Sequence, residues 1–581
     1  MKFDIPKFLD NLNPKQRQIC ESTENYVITA CPGSGKTRTI TYRLAYLQEK
    51  YKDSQKLNIA ITYTNRAAEE IDKRLLEMNV DTDSIWTGTI HQFCMHFIIR
   101  PYAMYNDVLK NGYKIIDEYV SKEYAKQIAD SMKISCGFRD PLTYPEIKRE
   151  YLKLLLKKKE IDFELILLLS LKLVNEHPFI AENISYIIRS IHIDEFQDTN
   201  NFQYEIIAAI VKKNKHINVI FVGDVNQAIF GGLGGKIKTV EELEHLFEIT
   251  FKKDVLSGCY RSTQRIINYY KNFEINRTGI YSVYQHKDIN GIVSYDNKIS
   301  KNDLVSKIAE VIKLQIKTGI PANEICVVAP TWYQILPFAN ELRQKLPDIT
   351  FDAPEITPFK YDRLNPFYLF ARLFFTESGV RVNVRKKIAN ELLTLLKVDY
   401  QINIPPKYDK YSLLKDINSC IPQVNNGITF FISSVKKVLS KMNIDISEFS
   451  MLNKTFENFI NKANERITNY KIPITYESFC KAFKEKDGVV INTIHGVKGE
   501  EYNTVIAFGL LEGHLPHWDY IYKEDLKSKR EIETNKLLYV LCSRAKQNLF
   551  LFSERGRLTQ KGNEYIATKE LGAIEFDYNL I

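Results

Sequence analysis

Hydrophobic residues occur along the chain in two patterns, as short continuous runs and as longer repeats at helical spacing. The first run, 26–29 (Tyr-Val-Ile-Thr), ends at a group of small residues, after which Leu44 and Leu47 recur at helical spacing. A short apolar run that ends in a turn before an amphipathic helix is typical of a buried parallel strand. The pattern therefore predicts a strand at 26–29 and a helix from about Thr37.

Further short apolar runs occupy two separate parts of the chain. They lie at 56–62, 86–91, 191–193 and 219–222 in the first part, and at 292–295, 325–328, 489–493 and 504–507 in the second. Strands that alternate with helical segments predict parallel sheets. Each group is interrupted by one segment that carries long helical repeats instead. The predicted fold class is therefore α/β, with two parallel-sheet lobes that each contain a mainly helical insertion.

These patterns also predict the domain boundaries. The first lobe comprises 1–94 and 185–254, with a helical insertion at 95–184. The second lobe comprises 255–376 and 489–581, with a helical insertion at 377–488. A chain of 581 residues exceeds what one hydrophobic core supports, and its 44% hydrophobic content excludes a disordered protein.

Charge and cysteine content narrow the class of protein only slightly. The net charge of +9 comes from 80 basic and 71 acidic residues, which permits a nucleic-acid partner without requiring one. The nine cysteines are scattered singly, so the spacing predicts neither a zinc site nor an iron–sulfur cluster. Glu164 and Lys172 interrupt the longest apolar stretch, and the N-terminus lacks a signal-peptide pattern. We expect a cytoplasmic protein without a membrane partner.

The turn after the first predicted strand carries the clearest chemical pattern. It reads Ala-Cys-Pro-Gly-Ser-Gly-Lys-Thr over 30–37 and leads directly into the first predicted helix. Glycines in such a turn let backbone N–H groups close on a polyphosphate at a helix N-terminus. Lys36 then reaches the β and γ phosphates, and the Thr37 hydroxyl binds Mg²⁺. An ordinary loop of small residues is the alternative, but the strand–loop–helix context favours ATP and Mg²⁺.

An acidic pair follows a later predicted strand. Asp194 and Glu195 come directly after the run at 191–193, where the carboxyl edge of a parallel sheet is expected. We predict that Asp194 holds Mg²⁺ and that Glu195 orients or deprotonates the attacking water. Acidic pairs at strand ends are common, so this prediction depends on the loop that contains Lys36.

Three more residues are candidates for contact with the transferred phosphate. Gln227 follows another strand end and is predicted to sense the γ phosphate, although a plain surface glutamine is the alternative. Phosphoryl transfer also needs cations, for which Arg261 and Arg544 are candidates. Spacing alone does not select these two from the other arginines.

Short motif-like segments run through most of the chain. They lie at 12–16, 30–37, 62–68, 88–91, 161–165, 194–198, 222–230, 260–262, 493–501, 512–516 and 538–546. In this order they resemble the Q motif, motifs I, Ia and Ib, a D-F-x-x-L segment, motifs II to V, an E-G-x-x-P segment and motif VI of the UvrD/Rep-like helicases of superfamily 1. The resemblance implies two RecA-like motor lobes of the P-loop NTPase class.

The resemblance also implies a role for individual residues. Gln16 would bind adenine, Tyr260 would stack on it, and Glu501 would contact the sugar. Arg261 and Arg544 would act as arginine fingers across a cleft between the lobes, and Gln227 would couple the γ phosphate to DNA. The phosphate loop would comprise Cys31, Pro32, Gly33, Ser34, Gly35, Lys36, Thr37 and Arg38. The DNA contacts would be Tyr63, Thr64, Thr89, His91, Phe230 and Thr493.

The sequence departs from the family pattern at a few positions. Cys31 stands where a glycine is frequent, and Leu515 stands where an aromatic residue is common. Gly232 and Leu233 replace an aromatic residue and an arginine of motif III. A stacked base contributes about 1–3 kcal/mol. The loss of the two aromatic residues, at Gly232 and Leu515, therefore weakens the predicted grip on single strands or makes each ATP step less tightly coupled to movement. Tyr63 and Phe230 remain candidate stacking residues, with core packing as the alternative.

These observations lead to two main functional hypotheses. The first is a 3′-to-5′ translocase that unwinds tailed duplex DNA, in DNA repair or antiviral defence. The second is a DNA- or nucleotide-sensing ATPase that regulates a separate partner nuclease and unwinds poorly. The short second insertion resembles the helicase-like subunit of Gabija-type antiviral systems, but a repair helicase would share it. A non-catalytic nucleic-acid-binding module and a small-molecule P-loop kinase explain fewer of the motifs.

Overall fold

The computed structural model describes residues 6–116, 118–136, 140–229, 235, 237–287, 289–353, 356–380, 382–484 and 486–580. The chain divides into two compact units. The first comprises Met1–Ala30 and Gly35–Leu256, and the second comprises Cys31–Ser34 and Ser257–Ile581. Each unit contains a six-stranded sheet in which all described pairings are parallel.

The sheet of the first unit has the strand order β3-β2-β6-β7-β1-β8. A separate parallel pair, β4-β5, lies within the segment that was predicted as the first insertion. The strands of this unit are β1 (Tyr26–Ala30), β2 (Leu57–Thr62), β3 (Ile85–Thr89), β4 (Lys114–Ile115), β5 (Glu160–Ile161), β6 (Ile188–Asp194), β7 (Asn218–Gly223) and β8 (Lys252–Leu256).

Helices of the first unit pack on this sheet and form most of the predicted insertion, which contains α5 to α8 and most of α9. The helices are α1 (Pro14–Glu21), α2 (Lys36–Lys50), α3 (Asn65–Glu77), α4 (Ile90–Phe93), α5 (Arg100–Tyr102), α6 (Glu118–Ser131), α7 (Pro145–Lys158), α8 (Phe163–Glu176), α9 (Pro178–Ile187), α10 (Asn201–Lys213) and α11 (Val240–Phe247). A π-helical segment, Cys94–Ile99, joins α4 to α5.

The parallel arrangement of the first sheet determines where the candidate site lies. Ile28 of β1 and Leu44 of α2 are fully buried in one hydrophobic core, so the phosphate-loop region is anchored on both sides. Parallel strands have their carboxyl ends at one edge of a sheet. The residues at this edge are Ala30, Thr62, Thr89, Asp194, Gly223 and Leu256.

The second unit has a sheet in the order β11-β16-β15-β12-β14-β13 and a separate pair, β10-β9. Its strands are β9 (Gly258–Cys259), β10 (Tyr281–Ser282), β11 (Val293–Asp296), β12 (Ile325–Ala329), β13 (Phe351–Asp352), β14 (Val489–Thr493), β15 (Tyr502–Ala507) and β16 (Ala545–Phe552). Its helices are α12 (Gln264–Tyr270), α13 (Leu304–Lys317), α14 (Trp332–Lys345), α15 (Pro366–Phe374), α16 (Val382–Val398), α17 (Lys410–Asn418), α18 (Gly427–Lys441), α19 (Ser450–Tyr470), α20 (Tyr476–Lys481), α21 (Trp518–Tyr522), α22 (Glu524–Lys527), α23 (Arg530–Cys542) and α24 (Lys569–Gly572).

Helices α15 to α20 share a hydrophobic core of their own, rich in phenylalanine. Phe367, Leu392 and Phe431 are buried in it, and the rings of Phe359 and Phe459 stack with centroids 4.9 Å apart. Helices α16 to α20 occupy the segment that was predicted as the second insertion. A separate core explains how so long a segment stays ordered between β13 and β14.

The fold class predicted from the sequence is confirmed, but some strands were missed. Two of them are β8 and β16. Strand β8 begins Lys-Lys-Asp and lies at the edge of its sheet, so it lacks the apolar run of a buried strand. Among the described helices, none has the length and apolar character needed to cross a membrane.

A buried histidine on β6 is expected to make stability depend on pH. His192 is fully buried, and its Nδ1 lies 3.0 Å from the carbonyl oxygen of Ile59. Burial, together with the charge of Arg43, lowers the pKa of His192 to about 3. Because the unfolded chain binds this proton near pH 6.5, stability is lost as the pH falls below that value.

We expect His192 to contribute about 2 kcal/mol of destabilisation on going from pH 7 to pH 5. Urea unfolding at the two pH values checks this, with His192→Asn as the comparison because asparagine retains an N–H donor. The variant should lose less stability between the two pH values than the unchanged chain. Equal losses in both proteins would contradict the prediction.

Candidate active site

The phosphate loop turns between β1 and α2 with a backbone that requires glycine. Gly35 has a φ of 81° and immediately precedes the first residue of α2. A Cβ atom at this position would lie 2.9 Å from Nε2 of Gln16, so a larger residue meets both strain and a close contact. The first N–H groups of α2 therefore face the loop, which is the arrangement that binds phosphate.

Lys36, Thr37, Asp194 and Glu195 are brought together at the carboxyl edge of the first sheet. The Thr37 hydroxyl donates to Oδ2 of Asp194 at 3.2 Å, and Nζ of Lys36 lies 4.0 Å from Oε1 of Glu195. Residues that are distant in sequence thus form one group of a cation, a hydroxyl and two carboxylates within a single unit. The oxygen donors of Thr37 and Asp194 are of the kind that Mg²⁺ prefers.

Electrostatics at this group favour a bound cation. Burial raises the pKa of Asp194, and the neighbouring Glu195 carboxylate raises it further, while Lys36 acts in the opposite direction. Two carboxylates with one lysine leave an excess of negative charge in a buried place. A divalent cation would offset that charge, so the residues present fit the group that an ATPase site requires.

A polar network surrounds Glu195, and two of its members, Gln197 and Asp224, were not predicted from the sequence. Nε2 of Gln197 donates to Oε2 of Glu195, and Oε1 of Gln197 accepts from the Asp224 N–H at 3.0 Å. The side chain of Gln227 donates to Oδ2 of Asp224 at 2.6 Å. Burial raises the pKa of Asp224 to about 6. The sequence predicts strands that end at 193 and 222, and the polar residues that follow them include Gln197 and Asp224.

Gln16 and Arg38 lie on either side of the loop that contains Gly35. Gln16 is buried, and its side chain accepts from the Asn13 N–H at 3.2 Å in a capping box that starts α1. Arg38 donates to the Asn11 carbonyl oxygen at 2.9 Å. The segment predicted to bind adenine is therefore joined to the first turn of α2.

The second unit brings Arg261, Glu501 and Arg544 together. Nε of Arg261 donates to Oε2 of Glu501 at 2.8 Å, and Nη1 donates to the Ser543 carbonyl oxygen at 3.0 Å. Burial raises the pKa of Glu501, but the cations Arg261, Lys546 and Arg544 outweigh it and lower that pKa overall. These residues are the ones predicted to contact the nucleotide from the second lobe.

The two predicted arginine fingers differ in their surroundings. Arg544 is only 1% exposed, and its guanidinium donates to the carbonyl oxygens of Val540 and Glu500. Arg261 instead pairs with a half-exposed carboxylate, that of Glu501. Tyr260, the predicted adenine-stacking residue, is 40% exposed. In this structure Arg544 holds the backbone around Glu500, whereas Arg261, whose side chain is 10% exposed, pairs with Glu501.

Several predicted DNA-contacting residues line one cavity of the first unit. The cavity has a volume of about 840 Å³, and Tyr63, Thr89, His91 and Glu195 are among the residues that line it. The candidate DNA surface and the candidate catalytic carboxylate therefore share one cavity.

The ring of His91 packs edge-on against Phe163, with centroids 5.2 Å apart. Burial lowers the pKa of His91 to about 4, so it is neutral near pH 7 and brings no positive charge to a DNA phosphate. Burial likewise raises the pKa of Tyr63, which keeps its hydroxyl neutral.

Thr64 and Thr493 are not among the residues that line this cavity. Thr64 is exposed and caps α3, with its hydroxyl oxygen accepting from the Ala67 N–H at 3.2 Å. Thr493 ends β14 in the second unit, and its hydroxyl oxygen accepts from the Gly496 N–H at 3.1 Å. Phe230 lies outside the described residues, as do Gly232 and Leu233.

Leu515 does not provide a stacking surface. Its side chain is fully buried in the hydrophobic core of the second unit. The residue that replaces the usual aromatic therefore contributes to packing within that unit.

The motif resemblance found in the sequence is confirmed by comparison with known proteins. The chain matches the UvrD/REP helicase N-terminal domain family at residues 12–140 and 139–248, and the UvrD-like helicase C-terminal domain family at 390–556. It is similar to proteins named ATP-dependent DNA helicase PcrA. The relative from Staphylococcus aureus is 24% identical over 95% of this chain and 84% of its own length, and the one from Bacillus subtilis is 23% identical over 96% and 84%.

Proposed function

The chain belongs to the UvrD/REP helicase family, and we propose that it is an ATP-dependent DNA helicase. The proposed enzyme moves 3′ to 5′ along single-stranded DNA, in DNA repair or antiviral defence. One observation carries the proposal. Lys36 and Thr37 of the phosphate loop meet Asp194 and Glu195 within a single unit. This group is what hydrolysis of a nucleoside triphosphate requires.

Each residue of this group has a proposed role. Lys36 and the first N–H groups of α2 hold the β and γ phosphates of ATP. Thr37 and Asp194 would hold Mg²⁺, which would neutralise phosphate charge when bound. Glu195 accepts a proton from the attacking water, because its carboxylate lies beside the phosphate loop, with Oε1 4.0 Å from Nζ of Lys36. Gln227 senses the γ phosphate from its position beside Asp224.

Residues of the second unit are proposed to complete the nucleotide contacts. Arg261 supplies positive charge to the transferred phosphate after releasing Glu501, which then contacts the sugar. Arg544 takes the second finger role in the family pattern, although its present partners are backbone carbonyl oxygens. Gln16 recognises adenine, and Tyr260 stacks on it.

The cavity next to Glu195 supports a link between DNA and hydrolysis. Tyr63, Thr89 and His91 line the same cavity as Glu195, so a strand that contacts them would alter the surroundings of the carboxylate. Since His91 is neutral, we propose that these residues contribute hydrogen bonds and stacking. Other residues would then neutralise the negative charge of the DNA phosphates. Thr64 and Thr493 complete the proposed contacts to the strand.

The proposal predicts ATP hydrolysis that single-stranded DNA stimulates, together with displacement of a strand from a 3′-tailed duplex. Steady-state ATP hydrolysis with and without single-stranded DNA checks the first expectation. Strand displacement on matched 3′-tailed and 5′-tailed duplexes checks the second and gives the direction. Unwinding of the 5′-tailed duplex alone would contradict the proposed direction.

A second candidate is an ATPase subunit that regulates a separate nuclease and unwinds poorly. Leu515 favours it, because this residue is buried in a core where the family often has a base-stacking aromatic residue. The same pair of assays separates the candidates. DNA-stimulated hydrolysis without displacement of either tailed duplex would favour the regulatory subunit.

A further inference from the structure

The side chain of Gln197 connects two strand ends of the first sheet. Its Nε2 donates to Oε2 of Glu195, which follows β6, and its Oε1 accepts from the Asp224 N–H, which follows β7. Gln197 is 1% exposed, so water does not compete for these bonds. Both ends of one amide are therefore used to join the candidate catalytic carboxylate to the neighbouring strand.

Glu195, the residue that Gln197 contacts, has an unusual backbone conformation. Glu195 has a φ of 54°, in the left-handed region that non-glycine residues rarely adopt. The Asp198 N–H donates to the Glu195 carbonyl oxygen at 3.0 Å, which closes the turn. A backbone in this region persists where the surrounding structure holds it, and the bond from Gln197 to the Glu195 side chain is one such contact.

Gly223, the last residue of β7, leaves room for the Gln197 side chain. A Cβ atom at Gly223 would lie 2.2 Å from Oε1 of Gln197 and 2.6 Å from Cδ1 of Phe196. Gly223 has no positive φ, so its backbone conformation does not require glycine. The close approach of the Gln197 amide and the Phe196 ring is what excludes a larger residue.

We propose that Gln197 is a positioning residue for ATP hydrolysis, which aims the Glu195 carboxylate and joins it to the turn that contains Asp224 and Gln227. The inference rests on the proposed function and deepens it. Asp224 accepts from the Gln227 side chain at 2.6 Å, so the connection extends from Glu195 to the residue proposed to sense the γ phosphate. Gln197 itself touches neither nucleotide nor water in this mechanism.

The test compares Gln197→Glu with Gln197→Met in the 581-residue chain. The glutamate variant retains an acceptor for the Asp224 N–H but loses the donor to Glu195. The methionine variant has a similar length and loses both bonds. We expect each variant to lower kcat for DNA-stimulated ATP hydrolysis by about 100-fold, because a misplaced reacting group has this effect. KM for ATP should change little.

A matched control isolates the role of the position. Gln127 on α6 also donates from its amide to a carboxylate, that of Glu123 at 3.1 Å, and lies on the exposed surface. Gln127→Glu makes the same chemical change and should leave kcat unchanged. Thermal unfolding of all variants shows whether the fold is intact.

The outcomes separate this inference from the proposed function. If the unchanged chain does not hydrolyse ATP, the proposed function fails. If it does, and Gln197→Glu retains its kcat, Gln197 is not a positioning residue. If both variants show a lower kcat, a higher KM and a lower thermal stability together, the inference is also overturned, because this pattern indicates a purely structural role. In a Glu195→Gln background, Gln197→Met should cause no further loss of kcat, and this test applies even if Gln197→Glu does not fold.

Discussion

Replacing Glu195 with glutamine is expected to lower kcat for ATP hydrolysis by about 10²–10⁴-fold while ATP binding is retained. The amide has the shape of the carboxylate but does not accept a proton from water. ATP contacts through the phosphate loop are unchanged, because Lys36 and Thr37 hold their positions on α2. The expected signature is therefore a loss of kcat with little change in KM.

Steady-state hydrolysis and equilibrium binding of a fluorescent ATP analogue together check this expectation. Glu176→Gln is a suitable control, because Glu176 is exposed at the end of α8 and pairs only loosely with Lys172, at 3.8 Å. A Glu195→Gln variant that hydrolyses ATP like the unchanged chain would remove Glu195 from the mechanism. Loss of analogue binding would instead indicate that the phosphate loop had been disturbed.

Replacing Lys36 with alanine is expected to weaken both ATP binding and hydrolysis, with a loss of about 10²–10³-fold in kcat. Lys36 is buried, with a side chain 9% exposed, and is the lysine that lies near Glu195 at the edge of the sheet. Its removal takes away the charge that faces the β and γ phosphates. It also leaves Asp194 and Glu195 without the cation that opposes their mutual repulsion.

The same two assays check the Lys36 variant, and the contrast with Glu195→Gln is informative. Lys36→Ala should raise KM and the dissociation constant of the ATP analogue, whereas Glu195→Gln should not. Lys52→Ala is the matched control, since Lys52 is exposed just beyond α2. Unchanged analogue binding in Lys36→Ala would contradict the proposed role of the loop.

The residues in these two predictions lie in segments that the sequence predicts from local patterns. The strand–loop–helix around Lys36 is a local pattern, because apolar runs, glycines and helical spacing act over a few residues. The same is true of Asp194 and Glu195 at the end of β6. Their meeting with Thr37 follows once the sheet is parallel, since parallel strands end at one edge.

Other features depended on contacts that no local pattern encodes. Gln197 and Asp224 lie on successive strand ends, and only the order of strands in the sheet brings the amide to the Asp224 N–H. Arg544 was predicted as a finger from its motif, yet packing within the second unit buries its guanidinium against carbonyl oxygens. Leu515 was discussed as a lost stacking residue, and the fold assigns it to a core.

The sequence by itself thus determined the α/β class, the phosphate loop, the acidic pair and the family, because these follow from short-range patterns and from the order of motifs. Only the tertiary structure decided which polar side chains hold Glu195, how far Arg544 is buried and which predicted DNA contacts share a cavity. The physical reason is that hydrogen bonds and burial depend on distances between residues far apart in the chain. Those distances are fixed when strands pair and helices pack.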